Sequence, residues 1–308
     1  MRSIIQTEFG DPSVLHVVDV AAPEPLPTEV LVRVHAVGIN PLEARLRAGE
    51  GGDALPLPVT LGWDLSGVVE RAVTARFSAG DEVFGMPLFP RSAHTYAEYV
   101  AAPALHFALK PSSMTHVEAA ALPTVGLTAW QGLVDLAQIR RGDRVLIHAG
   151  GGGVGHIAIQ IAAAAGAHVI TTVSGAKRAF VESLGANELI DYQSHDFAEV
   201  IGDVDVVLDT VGGAVAERSL AVLRRGGHFV TAVADDDTKL RDRYERAGMR
   251  FSGVAVDPDP AGLAGLIALI EAGKLHVQVE ETFPFSRVAD AHRRLESGHV
   301  LGKLVLVP

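Results

Sequence analysis

Hydrophobic and polar positions along this chain change their rhythm once. Up to about residue 121 the apolar residues come in short runs, at 3–7, 15–19, 30–36, 63–70, 82–86 and 95–100. Turn formers such as Gly10-Asp11-Pro12 and the Pro-rich stretch 22–27 separate them. Short β-prone runs at close spacing predict strands of a small barrel-like domain, which ends near Lys110-Pro111. Helical patterns at 115–122 and 127–137 lead out of it. From Arg144 the pattern alternates between strand and helix. Strands are predicted at 145–149, 168–173, 188–191, 204–210, 227–233 and 250–256, with helices at 154–165, 176–184, 196–201 and 214–223. Six strands in that alternation make a doubly wound parallel sheet. Residues 234–247, with Asp235-Asp236-Asp237, predict a solvated loop and helix; three adjacent acids are weak grounds for a cation site. Past Asp257-Pro258-Asp259-Pro260, short mixed elements resume: helix 261–272, strand 276–283, helix 286–297 and strand 303–307. The expected class is therefore α/β. A β-rich domain takes 1–121 and 258–308, and a nucleotide-binding domain takes 122–257.

The stretch 144–173 organises the rest. After the apolar run 145–149 come Gly150, Gly151, Gly152 and Gly153, then Val154 and Gly155, so that Gly150, Gly152 and Gly155 satisfy G-x-G-x-x-G. The first glycine lets a strand turn sharply into a helix. The second leaves room for a pyrophosphate against the backbone, and the third lets helix and strand pack closely. The free N–H groups of the helix's first turn then face the anion. By itself the pattern is weak; a strand before it, a helix after it and a second strand at the right distance make it a dinucleotide site. The same stretch is long and uncharged enough to raise a bilayer span, but four consecutive glycines and three histidines break any spanning helix.

The end of the second strand selects the cofactor. An NAD site places Asp or Glu there for the ribose 2′-hydroxyl. This chain has Ser174, followed by Lys177 and Arg178. A hydroxyl and cations suit a 2′-phosphate, which a carboxylate would repel, so NADPH is expected. The competing reading is that the two cations solvate a helix face.

Composition narrows the class. Of 308 residues, 48% are hydrophobic, enough to build substantial cores, and the net charge of −11 with no basic patch argues against nucleic acid as a partner. There is no cysteine, which removes disulfides, thiol nucleophiles and thiolate-bound zinc. The first residues, with early acids and Pro and no long apolar run, do not read as a signal peptide, so a cytoplasmic, membrane-free protein is expected.

Taken together, these blocks resemble the zinc-independent branch of the medium-chain dehydrogenase/reductase superfamily, the quinone oxidoreductases related to ζ-crystallin. The resemblance is carried by Gly38-Ile39-Asn40-Pro41, Leu61-Gly62-Trp63-Asp64-Leu65-Ser66-Gly67, Gly80-Asp81-Glu82-Val83-Phe84-Gly85 and Tyr96-Ala97-Glu98-Tyr99. It continues through Gly126-Leu127-Thr128-Ala129, the Gly150 run, Leu184-Gly185-Ala186, Ile190-Asp191-Tyr192, Gly226-Gly227 and Gly302-Lys303. It implies a GroES-like catalytic domain, split in sequence around a Rossmann domain, in a homodimer whose sheets pair across subunits through 251–256. Where zinc relatives carry a ligand Cys and a ligand His, this chain has Asn40 and Trp63, so no metal is expected.

The resemblance further implies that Asn40 is an amide beside nicotinamide and substrate, and that Thr124 contacts the nicotinamide ribose and phosphate region. Ser174, Lys177 and Tyr192 would form the 2′-phosphate set, beside the Arg178 already read as a cation for that phosphate. Val211 and Val233 would lie where backbone approaches the nicotinamide, and Gly302 and Lys303 would belong to a C-terminal motif closing over the cofactor. The bland alternatives are a turn residue for Asn40, a helix cap for Thr124 and a strand-end aromatic for Tyr192. Glu43 stands where relatives often have Asp, and Asp64 and Asp81 read as structural turn residues. Met86-Pro87-Leu88-Phe89-Pro90 suggests an apolar pocket wall. The activity implied is hydride transfer from NADPH to a small quinone or α,β-unsaturated carbonyl. An enoyl-thioester or biosynthetic enone reductase, and an NADPH-binding protein with little turnover, stay open.

Overall fold

A computed structural model describes residues 1–50, 56–233 and 237–308. Asp235 and Asp236 of the acidic run, and part of the 40–60 stretch expected near a substrate, lie outside the described residues. The chain divides into two compact units. The first comprises Met1–Thr124, Asp257–Ile267 and Val277–Pro308; the second comprises Val125–Val256 and Ala268–His276.

The first part of the chain supplies β1 (Arg2–Ile5), β2 (His16–Asp19), β3 (Glu29–Ile39), α1 (Pro41–Ala48), β4 (Leu65–Ala72), β5 (Glu82–Gly85), β6 (Tyr99–Pro103), β7 (Phe107–Leu109) and α2 (His116–Ala121). The helix α3 (Pro123–Trp130) and a π-helical turn, Gln131–Leu136, follow. Next come β8 (Arg144–Ile147), α4 (Gly153–Ala164), β9 (His168–Val173), α5 (Arg178–Ser183), β10 (Glu188–Asp191), α6 (Phe197–Val200), β11 (Val204–Asp209), α7 (Gly213–Ser219), β12 (Leu223–Thr231), α8 (Thr238–Arg246) and β13 (Arg250–Gly253). The tail holds α9 (Pro260–Glu271), β14 (Val279–Pro284), α10 (Val288–Glu296) and β15 (Lys303–Val307).

In the first unit β3 is the hub of a seven-stranded GroES-like sheet. The path runs β14-β15-β3-β4-β5-β7, with β6 also on β3. Leu304 sits opposite Ile39, Val32 opposite Val69 and also opposite Val100. Eight of the eleven β3 residues are buried, as expected of a strand covered on both faces. Around it Ile4, Leu61, Tyr96, Phe107, Phe283 and Phe285 form one core.

The second unit is a six-stranded parallel Rossmann sheet in the order β10-β9-β8-β11-β12-β13. Its core joins Leu146, Ile170, Val207, Phe229, Tyr244 and Phe251. The rings of Phe229 and Tyr244 stack 4.4 Å apart, and the Tyr244 hydroxyl donates to Ala216 O at 2.6 Å.

The structure departs from the expected boundaries at several places, three of which bear on the site or the domain division. The expected return of the whole tail to the first domain does not hold, since Ala268–His276 sits with the second unit. There Gln160 of α4 donates to His276 O at 2.9 Å and accepts from His276 N at 2.8 Å, a paired amide contact that no periodicity reveals. The first nucleotide-domain strand stops at Ile147, not 149, because Ala149 takes a positive φ of 54°. Finally, α1 has no counterpart among the expected helices. It starts with Asn40 as N-cap, Pro41 in the first turn and Glu43 at N3, whose carboxylate accepts from the Asn40 N–H at 2.9 Å.

Candidate active site

All six strands of the second unit run in one direction, so their carboxyl ends open along one edge of the sheet. The strand order reverses between β8 and β11, and ligands of such sheets bind outside the carboxyl ends at that switch point. Residues Gly150–Gly155 turn there from β8 into α4, with Gly152 as N-cap. Gly155 is fixed by close packing: a Cβ would stand 2.2 Å from Ala149 O. Gly152 is less confined: a Cβ there would meet one atom, Ala149 O, at 3.3 Å. The buried Gly150 and Gly151 and the half-buried Gly153 and Val154 complete the loop. Its geometry fits a pyrophosphate, offering backbone N–H groups and no side chain in the way.

Lys177 lies over this loop, its Cδ 2.7 Å from where a Gly151 side chain would begin. That brings the lysine stem from the end of β9 across to the glycines. Ser174 is the half-buried N-cap of the turn Gly175–Lys177. Arg178 starts α5, and its guanidinium reaches the Leu189 carbonyl of β10 at 3.4 Å. Tyr192, Val211 and Val233, beyond β10, β11 and β12, are 54%, 50% and 45% exposed, large apolar surface for loop residues above a sheet. Asp209 orients Val211: its Oδ1 accepts from Val211 N and Gly212 N at 3.0 Å each, and its Oδ2 from the Thr231 hydroxyl.

In the first unit, the motif residues 40, 43, 64, 124 and 303 converge on one buried polar cluster. Gly302, at φ 71°, turns the chain into β15 so that Lys303 points inward. The Lys303 ammonium donates to Ile39 O at 2.6 Å and to Asn40 Oδ1, and lies 3.7 Å from Asp64 Oδ2. Asn40 Nδ2 donates to Asp64 Oδ2 at 3.0 Å and to Glu43 Oε1 at 3.2 Å. Asp64 Oδ1 accepts from Thr124 N at 2.8 Å and Thr124 Oγ1 at 2.7 Å. Asn40, Glu43, Asp64 and Lys303 are all under 5% exposed. Burial, reinforced by the Asp64 charge, pushes the Glu43 carboxyl up to about 8. Burial also raises Asp64 and lowers Lys303, each opposed by the other's charge. With three donors on Asp64 and two on Glu43, the charge belongs on Asp64. This arrangement favours a protonated Glu43 beside an Asp64–Lys303 ion pair.

The picture differs from sequence expectation in specific ways. Asp64, expected to be a turn residue, is the hub of a buried charge cluster, and Glu43 is one of its members. Both Asn40 amide hydrogens are donated inside the cluster, and the Lys303 ammonium is turned inward with it. Arg178 is aimed at strand backbone. Sequence alone holds one pointer to the cluster: Asp64 and Lys303 both interrupt apolar runs, and a charge in a buried run requires a partner.

Residues 26–112 match the family described as "Alcohol dehydrogenase GroES-like domain", and residues 184–306 the family described as "Zinc-binding dehydrogenase". A quinone oxidoreductase structure from Coxiella burnetii superposes with a TM-score of 0.95 at 38% identity, covering 100% of this chain and 99% of that one. The mitochondrial NAD(P)H oxidoreductase RTN4IP1 of Bos taurus is 35% identical over 91% of this chain and 82% of its own length. The chloroplastic NADPH-dependent alkenal/one oxidoreductase of Arabidopsis thaliana is 33% identical over 100% of this chain and 80% of its own.

The chain belongs to the quinone oxidoreductase family of medium-chain dehydrogenase/reductases.

Family membership makes it an oxidoreductase and raises the question of zinc, which one matched description names. The residues do not fit that metal. The Asn40 amide turns N–H donors towards its neighbours, the Trp63 indole donates to Arg91 O at 2.7 Å, and a lysine ammonium already faces Asp64. Among the described residues, no group of three or more His, Asp or Glu is placed to hold a metal ion. In this quinone oxidoreductase the cluster around Asn40 is a hydrogen-bonded ion pair. Among the described residues no helix is long and apolar enough to cross a membrane.

Proposed function

We propose that this protein catalyses zinc-independent reduction of small quinones or α,β-unsaturated carbonyls with NADPH. The observation that carries the reading is the end of β9, where Ser174 replaces an acid and Lys177 lies across the glycine loop. The alkenal/one relative, NADPH-dependent by name, supports the same cofactor. Bound NADPH supplies the hydride. The N–H groups of the loop and of the first α4 turn hold the pyrophosphate, and Ser174 and Lys177 hold the 2′-phosphate. Tyr192, Val211 and Val233 give apolar contact along the cofactor. Asn40 acts by fixing Glu43, Asp64 and Lys303 as one rigid unit with Thr124, and the final proton comes from water.

Initial rates with NADPH and NADH, against 1,4-benzoquinone, 9,10-phenanthrenequinone and a simple enone, test this. Wild type should prefer NADPH. Lys177→Ala should lower kcat/KM for NADPH about tenfold or more, the loss of a charge-assisted contact, and leave NADH unchanged. A preference for NADH in the wild type refutes the cofactor assignment. Turnover confined to enoyl thioesters would place the chain with biosynthetic reductases, and binding without turnover would make it a non-catalytic NADPH protein. A two-domain division near 121 and 258, with Ala268–His276 returning to the second domain, cytoplasmic residence and a homodimer joined through β13 complete the proposal. They are supported by the sheet boundaries, by the acidic composition and by β13 standing at the edge of its sheet.

A further inference from the structure

We propose that His148 is a positioning residue for the cofactor loop, acting through Thr172 on the peptide of Ala149. This rests on the glycine loop being the pyrophosphate site. Ala149 is the hinge of that loop. It takes φ 54° without being glycine, a conformation that requires support from its surroundings. Its carbonyl accepts from Gly152 N at 2.9 Å and packs against Gly155, so its orientation sets where both glycines stand. Its N–H donates to Thr172 Oγ1 at 3.0 Å, while Thr172 O accepts from Gly150 N at 3.0 Å. Thr172 therefore grips the loop by two successive N–H groups.

The Thr172 hydroxyl is aimed in turn by His148. Its oxygen accepts from Ala149 N and lies 3.2 Å from His148 Nδ1, so the ring tautomer decides which of the two donates. On the other side of the ring, Nε2 lies 2.9 Å from Ser219 Oγ. Ser219 donates its own proton to Val215 O at 2.8 Å, so it can only accept from the imidazole. The one arrangement that satisfies every group is a neutral ring with the proton on Nε2. Burial enforces it: His148 is 1% exposed, with the Phe197 ring edge-on at 4.7 Å, and burial drives its pKa down to about 3. The backbone on either side is fixed as well, His148 N donating to Leu208 O and Thr210 Oγ1 to His148 O, both at 3.0 Å. A chain of oriented hydrogen bonds thus runs from α7 through His148 and β9 to the loop.

The test measures the Kd of NADPH, kcat and KM, and the Tm of the ligand-free protein, for His148→Leu, His148→Gln, Thr172→Val and Gly152→Ala. The latch predicts about tenfold weaker NADPH binding in His148→Leu and Thr172→Val, seen as a raised KM with kcat within twofold of wild type. It predicts His148→Gln within threefold, because a carboxamide can accept from Thr172 and donate to Ser219. A Kd unchanged within twofold in both His148→Leu and Thr172→Val, whatever happens to Tm, overturns the latch. Should His148→Leu fail to fold, an unchanged Kd in Thr172→Val alone overturns it. Gly152→Ala tests the loop itself: its methyl adds bulk beside Ala149 O, 3.3 Å away, where the pyrophosphate would lie, and should weaken NADPH whether or not Tm falls. If it does not, the loop assignment fails, and the latch with it. If it weakens NADPH while the latch variants do not, the latch alone fails.

Discussion

Lys303 shows how one residue settles what its neighbours can do. Its ammonium is buried, donates to Ile39 O and Asn40 Oδ1, and sits beside Asp64. Removing one member of such a set leaves a buried charge without a partner, which costs about 3–5 kcal/mol. Asn40 touches Glu43, Asp64 and Lys303, so Asn40→Ala should both destabilise the first unit and lower kcat/KM. Steady-state kinetics at a temperature well below the variant's Tm check this, and an unchanged kcat/KM would remove Asn40 from the reaction. The sequence motifs pick out positions 40, 124 and 303, which the fold brings into one buried cluster. What they do is not visible in the sequence, because the direction of a side chain depends on strands that meet across long separations, as β15 meets β3. Asp64 reads as a turn residue for the same reason: beside Gly62 and Ser66 it fits a turn, and its partners lie 24 residues before it and 60 and 239 after it.

Elements with strong periodicity are legible almost to the residue. The expected strand 168–173 is β9, and the expected strand 303–307 is β15. Elements set by caps or by contacts are not. The helix α1 is polar over much of its length and lacks an apolar stripe, so periodicity misses it. Its signal is the cap Asn40-Pro41 with Glu43 three residues on. At the other end of the second unit, β13 pairs with β12 on one side and, among the described residues, has no strand on the other. Such an edge invites pairing with another chain. The proposed homodimer uses it, and light scattering should give twice the chain mass of 32.4 kDa. A monomer mass at micromolar concentration would remove β13 as an interface.

Across the whole chain, buried titratable groups make stability fall towards both ends of the pH scale, by opposite signs. Glu43 has its pKa raised by burial to about 8 from 4.5, so the folded protein keeps a proton that the unfolded chain releases above 4.5. Its contribution is full below that value and is lost as pH rises towards 8, by at most about 1.4 kcal/mol per pH unit. The histidines act the other way. Burial lowers His148 and His292 to about 3 and His228 to about 4, so the unfolded chain binds protons that the folded state refuses. Their contribution is full above 6.5 and is lost as pH falls towards those values. The first unit carries Glu43 and His292, the second His148 and His228, so the alkaline limb belongs to the first unit, while both units share the acid limb. Urea midpoints measured from pH 4 to pH 9 should therefore peak between about pH 5 and 7. Glu43→Gln, which cannot release a proton, should flatten the loss from pH 5 to 8 and keep the acid limb. The slope is the readout, because Gln also puts an NH2 group towards the Asn40 donors and lowers stability at every pH. An alkaline limb as steep in Glu43→Gln as in the wild type would mean that Glu43 is already ionised in the folded protein. The Asp64–Lys303 pair would then have to share its lysine with a second negative charge.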